Sequence, residues 1–472
     1  MDNPAQNLET TPMSRITHHL TAEDLRLLRS DVAGRVLVPG DPELPEETAG
    51  FHLAATHHPV AVVAAASAQD VVTAVRWAAG RGIPVAVQAT GHGGVSTDGA
   101  LLITTRRLHQ VTVDAERRVA RVEAGATWRE VIDAAAAHGL APLSGSFSGV
   151  GAVGYTLGGG IGLLSREYGF AADHVLALDL VTADGRPRHV TADTEPDLFW
   201  AVRGGGGGFG VVTAFEVRLF PVPTLYAGGI FFAASSASEV LHAYRAWTPT
   251  LPESASSSVA LLRMPPLEEL PEPLRGKFVV HLRFSYNGPA EEGRALLAPM
   301  RAAGESVLGE VGELPFQDTD AVHQDPKDPM AAWHQGALLR TLDADTVDAL
   351  LDAAGPQLNI PPVMVEIRQL GGALSRPATP PNAVAGRDGA YVVHVAGPLL
   401  PGLEDAVPAT GNGILDALKP WTTGTALLNF LGEATAQDLA AAWGPDVHAR
   451  LVGIKGAVDP GNLFRFGPDL GV

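Results

Sequence analysis

Gln88-Ala-Thr-Gly-His92-Gly-Gly94 follows directly on the apolar run Ile83-Pro-Val-Ala-Val87. The run predicts a buried strand, and the glycines after it predict a tight loop at its carboxyl end. Glycines on both sides of His92 let the main chain approach a bulky anionic ligand with no Cβ in the way. A histidine in such a loop is placed to touch whatever the loop holds. Two more glycine clusters follow in the same half, Thr156-Leu-Gly-Gly-Gly-Ile-Gly162 and Arg203-Gly-Gly-Gly-Gly-Gly-Phe-Gly210. One cluster alone reads equally well as a turn. Three in one half predict a large cofactor cradled by backbone N–H groups.

Gly205 to Gly210 has the G-x-G-x-x-G spacing of a dinucleotide loop, but a helix (194–203) is predicted before it and a strand (211–219) after it. The Rossmann order is strand, loop, helix, so a nicotinamide site is disfavoured. The 472 residues carry a net charge of −19, which argues against nonspecific binding to nucleic acid or an anionic membrane. An anionic ligand must then be held by aligned amides and a few local cations. With no cysteine, disulfides, thiolate metal sites and cysteine nucleophiles are excluded, and no metal site is expected. Met1 to Thr21 is polar, without the apolar core of a signal peptide, and no segment is long enough to span a bilayer; the expected location is cytoplasmic.

Thr21 and Ser67 are predicted N-caps of helices, and Thr127-Trp-Arg-Glu130 is a capping box whose helix closes at Gly139. Strands are predicted at 84–87, 101–104, 118–123, 175–182 and 211–219. The texture changes near Pro221-Val-Pro223. Beyond it, strand-like runs at 229–233, 259–264, 278–284, 363–369 and 390–395 alternate with helical runs at 237–247, 290–303 and 344–354. This predicts an α+β domain on an antiparallel sheet. Residues 376–388, rich in proline, read as a loop. Helices near 436–443 and 447–455 precede the turn Asp459-Pro-Gly-Asn462.

Residues 35–220 resemble the FAD-binding domain of the vanillyl-alcohol-oxidase type (PCMH type), most of all that of the berberine-bridge-enzyme family. Val85-Ala-Val-Gln-Ala-Thr-Gly-His92 is similar to V-A-V-R-S-G-G-H. Val150-Gly-Ala-Val-Gly-Tyr-Thr-Leu-Gly-Gly-Gly160 is similar to V-G-x-x-G-[HFY]-T-L-G-G-G. Gly169 to Val175 is similar to G-L-A-A-D-N-V, and Asp197 to Val212 to D-L-F-W-A-L-R-G-G-G-G-N-F-G-V-V. Arg450 to Phe464 is similar to the terminal R-L-x-x-x-K-x-x-x-D-P-x-N-x-F, and Leu370-Gly-Gly-Ala373 also fits. The resemblance implies a split FAD-binding domain, residues 1–222 completed by 427–472, with an inserted α+β substrate domain at 223–426.

It also implies the residues that hold FAD. These are Gln88, Ala89, Thr90, Gly91, His92, Gly93 and Gly94 in the first loop, and Val150, Gly151, Gly154, Tyr155, Gly158, Gly159, Gly160 and Gly162 in the second. Gly210, Val212, Asn429 and Asn462 complete the set. His92 stands where the family's covalent ligand to the flavin 8α carbon is found, and a neutral imidazole is a competent nucleophile for that bond. A non-covalent loop histidine is the alternative. Phe147 takes the place of the second, cysteinyl link, so a double link is excluded. Gln88, Ala89 and Thr90 replace the family's Arg, Ser and Gly, which removes the loop's own cation. Tyr155 stands where the family often has His; a phenol there can donate to a reduced flavin or simply pack. Val150 is the small residue that goes with oxidase activity and O2 as acceptor.

The family's C-terminal tyrosine base is missing: the matching stretch is Ala442-Trp443-Gly444, and the last tyrosine is Tyr391. Candidate catalytic residues are therefore Tyr155, Glu366, Arg368, Tyr391, His394 and Asn429, with plain structural roles as the alternative for each. Glu366 and Arg368 share one strand face by period-2 alternation, whereas Tyr391 and His394 point to opposite faces. The expected activity is oxidation of an alcohol or activated C–H bond of a secondary metabolite, with hydride passing to flavin N5 and then to O2. Alternatives are a carbohydrate oxidase, a flavoprotein catalysing a non-oxidative or cyclising step, and a flavin-free sugar- or peptide-binding module.

Overall fold

A computed structural model of the protein describes residues 20–471; the remainder of the polar N-terminal stretch, residues 1–19, lies outside the described residues. Three sheets organise it. The first has four strands in the order Arg35–Leu37, Ala61–Ala64, Leu101–Thr104, Val85–Gln88, the last three parallel. Its strands Ala61–Ala64 and Leu101–Thr104 are buried on both faces, as parallel strands under helices must be. The helix Ala68–Ala79 covers it, capped by Ser67 and burying Val71, Val72, Val75 and Ala78. One expectation changes here. Val85–Gln88 is the edge strand, and Val87 is 45% exposed while Gln88 is buried.

The second sheet has five antiparallel strands in the order Pro187–Val190, Val175–Val181, Val211–Arg218, Val119–Glu123, Val111–Asp114. Helix Trp128–Ala136 packs on it, with both halves of the Thr127/Glu130 capping box formed. Helix Pro196–Val202 precedes the 203–210 glycines and strand Val211–Arg218 follows them, so the order is the reverse of a dinucleotide loop.

The third sheet has seven antiparallel strands in the order Ser306–Pro315, Thr224–Ala233, Phe278–Tyr286, Ala255–Arg263, Met364–Gln369, Tyr391–Pro398, Ala332–Leu339. Strand alternation divides its two faces. Val259, Leu261, Leu282, Phe284, Val365, Ile367, Val393 and Val395 form an apolar core under helices Ala237–Trp247, Ala290–Arg301, Ala344–Ala354 and Ala406–Leu418. The other face carries Ser258, His281, Arg283, Glu366, Arg368 and His394, and looks toward the glycine loops.

Two of these strands and one of these helices carry no clear sequence signal. Ser306–Pro315 is an exposed edge strand with glycines and glutamates, so it lacks a buried apolar stripe. Helix Ala406–Leu418 contains a proline and two glycines. No helix among the described residues is long and apolar enough to cross a membrane.

The C-terminal segment returns to the N-terminal half. Leu463 O accepts from Val85 N–H at 2.9 Å, and Lys455 donates to Asp459 (2.6 Å) and to Gly208 O (2.8 Å) in a buried knot. The Asp459 carboxylate also accepts from the N–H groups of Leu463 and Phe464. Removing the cation leaves a buried carboxylate without its counter-charge. Lys455→Met should therefore cost about 3 kcal/mol, read as a lower urea midpoint. A midpoint equal to wild type would show that the knot does not hold the tail.

Candidate active site

The first loop is built by close backbone approach. Gly91 has φ +73°, and a Cβ on it would lie 2.5 Å from the Cα of Gly50, so only glycine lets these two chains touch. Phe51 N–H donates to Thr90 O and His52 N–H to Gly91 O, at 2.9 and 3.1 Å. Met330, just before the edge strand Ala332–Leu339 of the large sheet, pairs in turn with Phe51 and Leu53.

His92 is fixed by this frame. Its ring stacks on Phe51 at 4.1 Å, and Phe147 lies 5.9 Å away. Its Nδ1 lies 2.8 Å from Thr90 Oγ1, and the same oxygen accepts from Gly151 N–H at 3.2 Å. Its Nε2 is buried without a partner. Burial, and then the nearby His52, lowers its pKa to about 4, so the ring is neutral at pH 7. Gln88 is a loop anchor: its amide donates to Thr48 O. The cation missing from positions 88–90 arrives from elsewhere, since Arg106 Nε donates to Ala89 O at 3.3 Å.

The second loop contains a short helix, Ala152–Leu157, hidden in the sequence by its glycines. Tyr155 is half-buried against Trp128, with ring centroids 5.5 Å apart, and its hydroxyl is buried without a partner. Burial raises its pKa, so it is a neutral phenol. Open space lies beside both loops: a Cβ at Gly93 of the first or Gly154 of the second would meet nothing within 4 Å.

Several candidates resolve into structural roles. Tyr391 faces the helix-covered core and its hydroxyl pairs with Thr248 Oγ1 at 2.6 Å, which removes it from the site. Asn429 is a clasp: its Oδ1 accepts from Gly160 N–H and its Nδ2 donates to Tyr155 O, at 2.9 and 3.0 Å. Gly158 is the surface on which that amide rests, and Gly162 lets the turn close on Ser144. Gly210 sits against Leu180 and Val181, and Val212 is in the sheet core, so packing accounts for both. Asn462 belongs to the C-terminal turn, its N–H bonded to Asp459 O. Val150 packs on the apolar core of the five-stranded sheet and its carbonyl accepts from Trp128 N–H.

Glu366, Arg368 and His394 come together on the large sheet. Glu366 is 2.8 Å from Arg283 and 3.0 Å from Arg368, and 3.6 Å from His323. Burial works to raise its pKa, but Arg368 and Arg283 outweigh it and hold the carboxyl well below the usual range. His394 lies opposite Glu366 in the sheet register, with Phe430 and His334 set edge-on 5.2 and 5.5 Å away. Its Nε2 is buried and unpartnered, and burial, then His334, lowers its pKa to about 4. Phe51, His52, His281, Arg283, His323 and His334 carry no motif. The polar face of the alternating strand Phe278–Tyr286 is the one signal that points to His281 and Arg283. Among the described residues no group of three or more His, Asp or Glu could hold a metal ion.

The buried polar atoms without partners, the open space beside Gly93 and Gly154, and the loop main chain fit FAD. Residues 59–191 match the family model of an FAD binding domain. The chain is 28% identical to (R)-6-hydroxynicotine oxidase of Paenarthrobacter nicotinovorans, over 92% of this chain and 96% of that one. It is 27% identical to an uncharacterized FAD-linked oxidoreductase of Bacillus subtilis, over 93% and 97% of the two chains. The structure of 6-hydroxy-D-nicotine oxidase from Arthrobacter nicotinovorans superposes with a TM-score of 0.80 at 26% identity, covering 93% of this chain and 98% of that one. The chain carries an FAD binding domain and is similar along nearly its whole length to FAD-linked oxidoreductases, in keeping with its resemblance to the berberine-bridge-like, vanillyl-alcohol-oxidase type. It is an FAD-dependent enzyme, and without cysteine it makes no cysteinyl flavin link.

Five site histidines, His92, His281, His323, His334 and His394, have lowered pKa values, burial being the first cause in each. On unfolding they regain an ordinary value near 6.5. Between about 4 and 6.5 the unfolded chain thus binds more protons, and stability falls as pH falls. His92 and His394 alone contribute about 3 kcal/mol each, fully present above pH 6.5 and lost toward pH 4. The melting temperature should be flat above neutrality and drop between pH 6.5 and 4; no drop by pH 5 would contradict neutral buried rings.

Proposed function

We propose that this enzyme is an oxidase acting on an alcohol or activated C–H bond of a secondary metabolite, with O2 as acceptor. The observation that carries the reading is His394: a neutral, half-buried imidazole, its Nε2 buried without a partner, on the sheet face that looks onto the glycine loops. FAD, when bound, supplies a two-electron acceptor for hydride at N5 and passes both electrons to O2, giving H2O2. The oxidase name of the hydroxynicotine relative supports that choice.

The proposed assembly is residues 1–222 with 427–472 around the flavin and residues 223–426 over the substrate. The backbone of the first two glycine loops holds the cofactor, and His92, through its free Nε2, is the proposed 8α attachment point. Tyr155 offers a neutral hydroxyl as donor, while Asn429 keeps the Tyr155 and Gly160 backbone in register. Glu366 is ionised but locked between two guanidiniums, so it orients Arg283 and Arg368 and does not take the proton. His394 takes the substrate proton as hydride leaves the carbon, and Phe430 shields that imidazole from water. Its low basicity matches a proton that becomes acidic only as the carbon loses hydride.

His394→Asn should lower kcat by about 10²-fold or more with the flavin spectrum unchanged. Wild-type kcat should stay level through neutrality and fall as pH drops toward His394's value of about 4, where the ring gains a proton. Undiminished turnover in the variant would reassign the base. For the attachment, His92→Ala should release yellow colour into the supernatant after acid precipitation, whereas wild type keeps it in the pellet. A wild-type pellet without colour would refute the covalent link and leave the FAD site intact.

A further inference from the structure

Beneath the large sheet, between it and the 161–166 turn, lies a cavity lined by Gly162, Arg166, Ser258, Arg283, His323 and Arg368. Three guanidiniums reach it, and all are withdrawn from water: Arg166 is 6% exposed, Arg283 3%, and the Arg368 side chain 12%. One buried carboxylate, Glu366, answers them. Arg166 is held by carbonyls of Ala255 and Leu370 and meets no carboxylate directly. Asp325, half-buried, acts on Arg368 only through space. The histidines His281, His323 and His394 are neutral and do not alter the count. A chain of net charge −19 thus concentrates an excess of positive charge in a buried place. Uncompensated buried charge is costly unless a counter-ion joins it.

The uncharged groups point the same way. Ser258 Oγ, Arg368 Nε and His323 Nδ1 are buried in the cavity wall without hydrogen-bond partners. Arg368 Nε and the Ser258 hydroxyl are donors, and a neutral imidazole can present its N–H at Nδ1. A planar guanidinium edge beside a hydroxyl matches the two oxygens of a carboxylate.

We propose that the substrate of this enzyme carries a carboxylate, held by Arg368 and Ser258 with Arg283 and Arg166 supplying further positive charge. This rests on the reading of the sheet face as the substrate side of an FAD oxidase. A protonated amine in the same cavity would meet like charge and bind poorly. The negative charge that develops on a reduced flavin's pyrimidine edge is the other anion these residues could answer.

The test uses the purified flavin-bound protein at neutral pH. Benzoate, benzamide and benzylamine are titrated while the flavin absorbance is followed. Benzoate should bind about ten-fold or more tightly than benzamide, with benzylamine weakest. Arg368→Met should abolish the preference for the acid over the amide, and Ser258→Ala should reduce it. Glu366→Gln, which keeps all three arginines and removes the opposing charge, should strengthen it; this arm stands if Arg368→Met does not fold. Equal binding of acid and amide, or no spectral response to either, overturns the proposal. So does an Arg368→Met protein whose flavin potential falls while its benzoate affinity is unchanged, because the charge then serves the flavin edge. A colourless wild-type protein fails the FAD reading itself, a different result from a yellow protein indifferent to benzoate.

Discussion

The hydroxyl of Thr90 ties the site together. It accepts from Gly151 N–H and pairs with His92 Nδ1, so one oxygen joins the two glycine loops and orients the imidazole between them. The bond forms only because the 90–91 turn is pressed against Gly50 and Phe51, where side chains are excluded. Phe51 then closes on the His92 ring, and Met330, just before an edge strand of the large sheet, pairs with Phe51 and Leu53. A single layered contact thereby links the first glycine loop, the stacking aromatic and the segment that leads into the large sheet.

The large sheet shows how one set of strands serves two opposite demands. Its helix-covered face is aliphatic and aromatic and supplies packing. Its other face holds arginines, histidines and a carboxylate at low exposure, with several polar atoms unpaired. Most buried polar groups in a folded protein are satisfied, so a concentration of exceptions marks where a bound molecule completes the bonding. The Glu366 pair of ion bridges keeps Arg283 and Arg368 extended and charged. The neighbouring imidazoles stay neutral because burial penalises their charged form.

Replacement of the usual residues at 88–90 does not leave the first loop without a cation. Arg106 comes from outside the motif and holds the Ala89 carbonyl. Similarly, where the C-terminal tyrosine is absent, a histidine on a different strand, His394, faces the glycine loops. In both cases the residue type comes from a different segment, and only the fold brings it near the loops.

The order of helix, glycines and strand at 196–218, the three glycine clusters and the alternation of strands 278–286 and 364–369 were legible in the amino-acid sequence. They are local: caps, turn residues and side-chain period act over a few positions. They sufficed for the α+β fold, for FAD, and for the shared face of Glu366 and Arg368. The fates of Tyr391, Asn429, Gly210 and Val212 were not legible, because each depends on what a distant segment places opposite it. Asn429 meets Gly160 across a separation of 269 residues, and Arg283 meets Glu366 across 83. The sequence alone determined which residues could bind a flavin. Tertiary folding decided which of them face one another, because neutral histidines and a cluster of buried guanidiniums arise only when remote strands exclude water together.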